Sequence, residues 1–466
     1  MKKNRISVCY VVLVLAICAL PLVCMSFART NDSTENRRLA EFPAITVDGK
    51  LNTEYLSGLG SYYEDHFAFR NEIVGMDGKI QSLFGVSSVD TVIKGKDGWL
   101  YYTASADDFQ GLNVMSDREV QNAIRNLRLM KEFVTDKGAA FVYTVAPNKN
   151  SLYPEHMPYY YVGTELGNNM SKIAPLIEKD DAYADLFDLF GRSDETLYMK
   201  RDSHWNNKGA LMAANTLMTA LKRDFDPFAT VAAVRKKDAV GDLGRMAYSV
   251  FAQPEWNYAY ELPGGYTYTD TQDVEAALVA TQNPSKTGSL LMFRDSFANT
   301  LIPILAEHYR QAVFSKAAPY PLERYFSEYH PDDVIVEKVE RNLRDFSRTP
   351  PIMSAPKRTI SGTKTEQTET SAVIGIAISP DDGSYYRIEG SLPAEETPDA
   401  VYVQIGDDVY EAFTVSSDES DNGFLLYVKK EALAKGVLPV CVIEKSGGRY
   451  ITVCRDEWDL SEGVEE

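Results

Sequence analysis

Four short runs of nearly continuous apolar residues constrain this chain more than anything else in it. They are "AAFVYTVA" (139–146), "GSLLMF" (288–293), "AVFSK" (312–316) and "DDVIVEKV" (332–339). A strand with one wet face alternates apolar and polar residues; one that stays apolar at successive positions is covered on both faces. Helical patterns lie between the runs. Residues 117–136 place Ile124, Leu127, Leu129, Met130 and Phe133 on one stripe, and further helices are expected over 53–80, 208–223, after 294 and over 322–329. "AYADLFDLF" (182–190) reads as another strand with its connection, "VIKGKDGWLYY" (92–102) as a hairpin, and 227–287 as a β-rich insertion. Strands alternating with helices predict an α/β fold, a three-layer parallel sheet with helices on both faces. Such sheets bind ligands at the carboxyl ends of their strands. That edge is where "PNKN" (147–150), "RDSF" (294–297) and "RDSHW" (201–205) fall.

The ends of the chain read differently. Residues 1–28 begin with Lys2, Lys3 and Arg5 and continue as an uncharged run from Ile6 to Ala28. At about 1.5 Å per residue this run matches the roughly 30 Å hydrocarbon core. An uncleaved N-terminal anchor is expected, with the remainder outside the cytoplasm, because the positive residues stay inside; a cleaved signal ending near "SFA" is the alternative. The whole chain carries −19, and without the basic leader about −22. Such a surface repels phosphate backbones and excludes nucleic acid as a partner. A catalytic domain is expected over 29–347, and residues 348–370, rich in Pro, Ser, Thr and Lys, read as a linker. From 371 to 466, short alternating runs separated by turn residues predict a β-sandwich, a candidate carbohydrate-binding module. Cys441 and Cys454 flank "VIEKSGGRYITV". A two-residue turn at Gly447-Gly448 would set them opposite each other, a disulfide candidate, with two small core residues as the alternative.

Ser296 follows a buried strand and precedes a helix. There it is either a helix cap or an exposed nucleophile near a helix N-terminus, where a developing oxyanion is favoured. His204 is one of only five histidines and stands two residues after Asp202. In an extended loop, i and i+2 face the same way. The carboxylate can then orient Nδ1 and leave Nε2 as base for a serine. Both segments fall at the same sheet edge, which favours a Ser296–His204–Asp202 triad over two separate surface features. Asn148, Lys149 and the N–H of Ser296 are candidate oxyanion donors. Arg294 is a candidate for holding a substrate oxygen, and Trp205 and Tyr198 for stacking on a sugar ring, with loop or packing roles as the alternatives. Zinc-type Cys/His spacing and a phosphate-cradling glycine loop are absent, so no metal or cofactor is expected.

"RDSHWNNKGA" (201–210) and "FRDSFANTLIPILAEHY" (293–309) together resemble the DHHW family, which is similar to the SGNH-like, alginate-type polysaccharide O-acetyltransferases. "ENRRLAEFP" (35–43), "YYEDHFAFR" (62–70), "GKDGWLYY" (95–102), "APNKNSLYPEHMP" (146–158), "GDL" (241–243) and "PDDVIVEKVERNL" (331–343) extend the resemblance over roughly 35–345. One departure is Ser203, where the family name implies His. The resemblance implies an SGNH-hydrolase-like fold and a triad whose Asp and His precede Ser, here Asp202, His204 and Ser296. It further implies an extracytoplasmic O-acetyltransferase with an acyl-serine intermediate, a polysaccharide acceptor, and a membrane-bound O-acyltransferase as acetyl donor. An acetylesterase with the same triad, and a non-catalytic glycan-binding or assembly protein, are the rival readings.

Overall fold

The fold was obtained as a computed structural model that describes residues 2–28, 30, 39–47, 49–164, 167–223, 233–360, 364–366, 372–379, 383–393 and 398–461. The principal helices are α1 (Lys2–Ala28), α2 (Tyr55–His66), α3 (Arg70–Leu83), α4 (Asp117–Asp136), α5 (Asn169–Ile177), α6 (Leu186–Gly191), α7 (Asn207–Ala220), α8 (Asp242–Tyr248), α9 (Ile302–Ala306) and α10 (Leu322–Tyr329). The main sheet contains β1 (Ala140–Ala146), β2 (Tyr183–Ala184), β3 (Thr267–Tyr268), β4 (Leu278–Gln282), β5 (Ser289–Phe293), β6 (Gln311–Ser315) and β7 (Asp333–Val339).

The sheet order is β2-β1-β7-β5-β6-β4-β3. The first five strands are parallel; β4 and β3 add antiparallel at one edge. Neighbouring residues on β5 show why its run is apolar throughout. Leu290 and Met292 pack with α6, α7 and α9, whereas Leu291 and Phe293 pack with α4, α5 and α10. Both faces are therefore dry, and the fold is the α/β three-layer arrangement the pattern predicts. α4 starts at a capping box: Ser116 Oγ accepts from Glu119 N–H, and the Glu119 carboxylate accepts from Ser116 N–H.

Several local expectations change. The helix read over 53–80 is two helices, broken where Phe69 takes a left-handed φ of 64°. Residues 227–287 are rich in strands over their described part. That part forms a hairpin (Ala233–Ala239 with Glu255–Tyr260), encloses α8, and ends by giving β3 and β4 to the main sheet. The near half of the expected linker is a seam. Ile352 N–H donates to Tyr320 O (2.8 Å), Ala355 N–H to Tyr427 O (2.9 Å) and Arg358 N–H to Val409 O (2.8 Å), with Ile352 and Met353 buried. A composition read as a spacer is thus fastened to both sides.

Beyond it lie a five-stranded and a four-stranded sheet that share one core. α4 packs on them through a charged joint: Arg125 pairs with Glu411 (2.9 Å), which also takes Arg128 (2.8 Å) and Arg358 (2.6 Å). The glycine turn forms, with φ of 55° at Gly447 and 79° at Gly448. The disulfide does not. The register slips between Val442 and Ile443, so Cys454 falls opposite Val442 and Cys441 opposite Arg455. The bulge sends the two side chains to different clusters, and both thiols are free. At the other end, α1 contains one stretch, Ser7–Ala28, long and apolar enough to cross a membrane.

Candidate active site

β5 ends at Phe293 and the chain turns at once. Asp295 is held at three polar atoms. Its N–H donates to Glu337 Oε2 (2.9 Å), its Oδ2 accepts from Val339 N–H (2.7 Å), and its Oδ1 accepts from Phe297 N–H (2.9 Å). The last bond makes Asp295 the cap of the 3-10 turn Ser296–Thr300. The capping role weighed for Ser296 belongs to its neighbour. Ser296 occupies the first position of the turn, and its Oγ lies 2.9 Å from His204 Nε2.

His204 comes from a loop closed by the Tyr198–Trp205 bridge and followed by α7, whose cap is Asn206. The loop is bent rather than extended. Asp202 Oδ1 accepts both from His204 N–H (2.9 Å) and from Nδ1 (2.7 Å). With Nδ1–H committed to the carboxylate, Nε2 is left to accept from Ser296 Oγ–H. Asp202 Oδ2 accepts from the N–H of Asp242 (3.0 Å), and the Asp242 carboxylate accepts from Ser203 N–H (2.7 Å) and Ser203 Oγ–H (2.5 Å). Ser203 thus ties the loop to α8. Glu255 fastens it from another side, accepting from the N–H groups of Lys200 (2.7 Å) and Arg201 (2.9 Å). Gly241 lets α8 approach: a methyl there would run into Arg201 O and Asp202 N.

The electrostatics follow from this geometry. Burial disfavours charged His204, but the hydrogen bond and charge of Asp202 outweigh it and raise the imidazole above its ordinary value. Burial would also raise Asp202; its bonds to His204 and its neighbour's charge instead hold it well below the carboxylate range. Asp242 goes the other way, raised by burial and by the charge of Asp202. Two adjacent carboxyls are pushed apart, which assigns the fixed negative charge to Asp202.

The other sequence candidates divide sharply. Asn148 is buried: its N–H donates to Glu340 Oε2 (2.8 Å), its Oδ1 takes Arg341 (3.4 Å), and its Nδ2 has no partner. Lys149 does not reach the cleft. Its buried Nζ donates to the carbonyls of Met199 (3.2 Å), Lys200 (3.0 Å) and Asp202, which makes it a strut under the loop. Burial brings it down to about 8, against the charges of Asp202, Asp242 and Glu255. Arg294 is buried and spent on Asn299 Oδ1 and the carbonyls of Asp295, Val274 and Ala276. Trp205 and Tyr198 are core residues at 1% and 2% exposure, too buried for a sugar to stack on. Trp205 Nε1 donates to Thr300 Oγ1 (2.7 Å) and Tyr198 Oη to Pro147 O (2.5 Å).

A cleft of about 950 Å³ opens over Ser296 and His204, walled by Tyr102, Asp242, Arg245, Asn257, Glu275 and Arg341. The Arg341 guanidinium lies over the rings of Tyr102 and Phe297. Sequence reasoning missed Asp242 and Arg341 as site residues. Each sits within a stretch quoted for the family resemblance, "GDL" and "PDDVIVEKVERNL", and no nearer pattern tied them to His204. Ligand atoms of Asp202, His204 and Asp242 lie within 4.8 Å of one another, close enough to share a cation. The hydrogen bonds above already engage all three side chains.

A serine at the carboxyl edge of a parallel sheet, bonded to a histidine that an aspartate orients, sits in an SGNH hydrolase-like α/β fold. Residues 92–289 match the family model described as SGNH hydrolase-like domain, acetyltransferase AlgX. The match contains Asp202 and His204 and stops short of Ser296. The probable alginate O-acetylase AlgJ of Pseudomonas syringae pv. tomato is 20% identical over 190 residues, 40% of this chain and 47% of that protein. The chain thus spans about half the length of that relative. Among solved structures, Bacillus cereus PatB1 is 15% identical with a TM-score of 0.44, covering 54% of this chain and 96% of that one. A DHHW family protein from Eubacterium siraeum is 16% identical with a TM-score of 0.40 (54% and 95%). The O-acetyltransferase domain of Pseudomonas putida AlgJ is 17% identical with a TM-score of 0.38 (54% and 92%).

Proposed function

We propose that this protein is an extracytoplasmic O-acetyltransferase that moves an acetyl group onto a polysaccharide through acyl-Ser296. The observation that carries the reading is the unbroken hydrogen-bond chain from Asp202 Oδ1 through His204 to Ser296 Oγ, open to the cleft. Ser296 Oγ attacks the acetyl carbonyl while His204 Nε2 takes its proton. The oxyanion is stabilised by Ser296 N–H at the start of the turn. His204 then protonates the leaving group, and acetyl-Ser296 remains. A sugar hydroxyl replaces the leaving group in the cleft and attacks the acetyl carbonyl while His204 takes its proton; the bond to Ser296 Oγ breaks, His204 returns the proton to Oγ, and the ester passes to the glycan. Arg341 takes the substrate-holding role expected of Arg294. The acetyl donor is a membrane-bound O-acyltransferase, α1 anchors the chain beside it, and the C-terminal sheets hold the glycan.

The test uses the full chain in detergent with a chromogenic acetyl ester and intact-mass analysis. Wild type is expected to form an acetyl adduct and turn over, and Ser296→Ala and His204→Ala to do neither while folding normally. Adduct formation in Ser296→Ala would remove Ser296 as nucleophile. Release of acetate to water at the same rate with and without an added glycan acceptor would make the protein an esterase.

A further inference from the structure

α3 is amphipathic the wrong way round for a helix inside a soluble domain. Phe69, Ile73, Met76, Ile80 and Leu83 follow one another at intervals of four, three, four and three residues. The four on the helix, Ile73 to Leu83, form a band within about 80° of one face, and Phe69 caps its start. Each is between 43% and 85% exposed, and Phe84, just past the helix, is 79% exposed. Among the described residues nothing covers this band. Glu72, Asp77 and Lys79 flank it, also exposed.

The opposite face of α3 is the one that packs. Gly75 and Gly78 lie there, and a methyl on either would strike the backbone of Tyr248 or Ala247 at the end of α8. The glycines bring α3 hard against the helix that carries Asp242, and the band is left pointing away from the protein.

The band is continuous with the apolar helix α1. Ala68 N–H donates to Pro21 O (3.3 Å), Thr30 N–H to His66 O (3.3 Å) and Thr30 Oγ1 to Phe67 O (3.2 Å). The band begins at the next residue, Phe69. Pro21 is seven residues before the end of α1, so the junction lies roughly 10 Å back along that helix. An interfacial helix buries its apolar face to a similar depth, roughly 5–10 Å.

We propose that the band is a lipid-docking surface and that α3 lies along the extracytoplasmic leaflet with this face among the outer acyl-chain segments. The proposal rests on the reading that α1 remains as an anchor. α3 is locked to α8, so docking holds the wall of the cleft that carries Asp242 at a fixed height over the membrane.

The experiment uses the full chain in phosphatidylcholine–phosphatidylglycerol vesicles. A benzophenone amino acid replaces Met76 in one variant and Leu15, in the middle of α1, in another. After irradiation, intact mass reads the adduct. Lipid adducts at both positions are expected. An adduct at 15 without one at 76 overturns docking while leaving the anchor intact. No adduct at either removes the anchor reading and docking with it. In native membranes, a protein adduct in place of lipid at 76 overturns the lipid assignment.

Discussion

Asp242 supports Asp202 through its backbone: its N–H donates to Asp202 Oδ2 at 3.0 Å, while its own carboxylate is held by Ser203. The two aspartates therefore do different work, and substituting them gives different results. Asp202→Asn removes the charge that orients His204 and is expected to lower kcat by about 10²–10⁴-fold. Asp242→Asn keeps the backbone donor and an acceptor for Ser203, so a loss of about tenfold or less is expected. Steady-state kinetics on the chromogenic ester distinguish them; equal losses would contradict the division.

The pH profile follows from the direction of the His204 shift. His204 acts as a base only when neutral, and its pKa is raised above 6.5. Activity is therefore expected to rise with pH through an acid limb centred above 6.5. Asp242 contributes to that rise by its charge. In Asp242→Asn the limb moves to lower pH. A limb that stays put would take Asp242 out of the electrostatics.

Lys149→Met tests the strut under the loop. It leaves the carbonyls of Met199 and Asp202 without their donor, at about 1–3 kcal/mol each less whatever water restores, while Lys200 O keeps the N–H of Leu100. The expected outcome is a lower Tm and a fall in kcat with little change in KM, because the lysine touches the loop and not the cleft. A selective rise in KM would return Lys149 to the substrate.

The charged joint gives a stability prediction. Glu411 is the shared acceptor for Arg125, Arg128 and Arg358, and Arg125 is itself buried. Glu411→Gln strands a buried guanidinium at a cost of about 3–5 kcal/mol. Thermal unfolding is expected to begin earlier. An unchanged Tm would show that Arg125 finds water or another partner.

Much of this arrangement is legible without coordinates because it is encoded locally. The twenty residues of α4 lie between a capping box and the end of their apolar stripe, and the strands around Leu291 and Ile335 declare themselves by having no polar face. Asp202 and His204 are two residues apart, and Ser296 stands at a strand-to-turn corner. What escapes is decided at long range. Whether Lys149 points into the cleft or under the loop depends on carbonyls about fifty residues away, and Asp242 matters only because Gly241 lets its backbone come close to Asp202. One bulge in a ten-residue pairing is enough to separate Cys441 from Cys454. Trp205 beside a helix start reads equally as platform or as core until Thr300 and Phe297 are found against it.

The seam over 349–358 bears on how a long chain molecule would experience this protein. Segments between two domains commonly act as tethers, and a tether lets one end of a polymer wander while the other is worked on. Here that segment is stitched to Tyr320 on one side and to Tyr427 and Val409 on the other. The C-terminal sheets are an outrigger rather than a swinging arm. A strand of polymer gripped there would meet Ser296 at a constant reach, so the spacing of modified units along it would be a property of the protein's own dimensions.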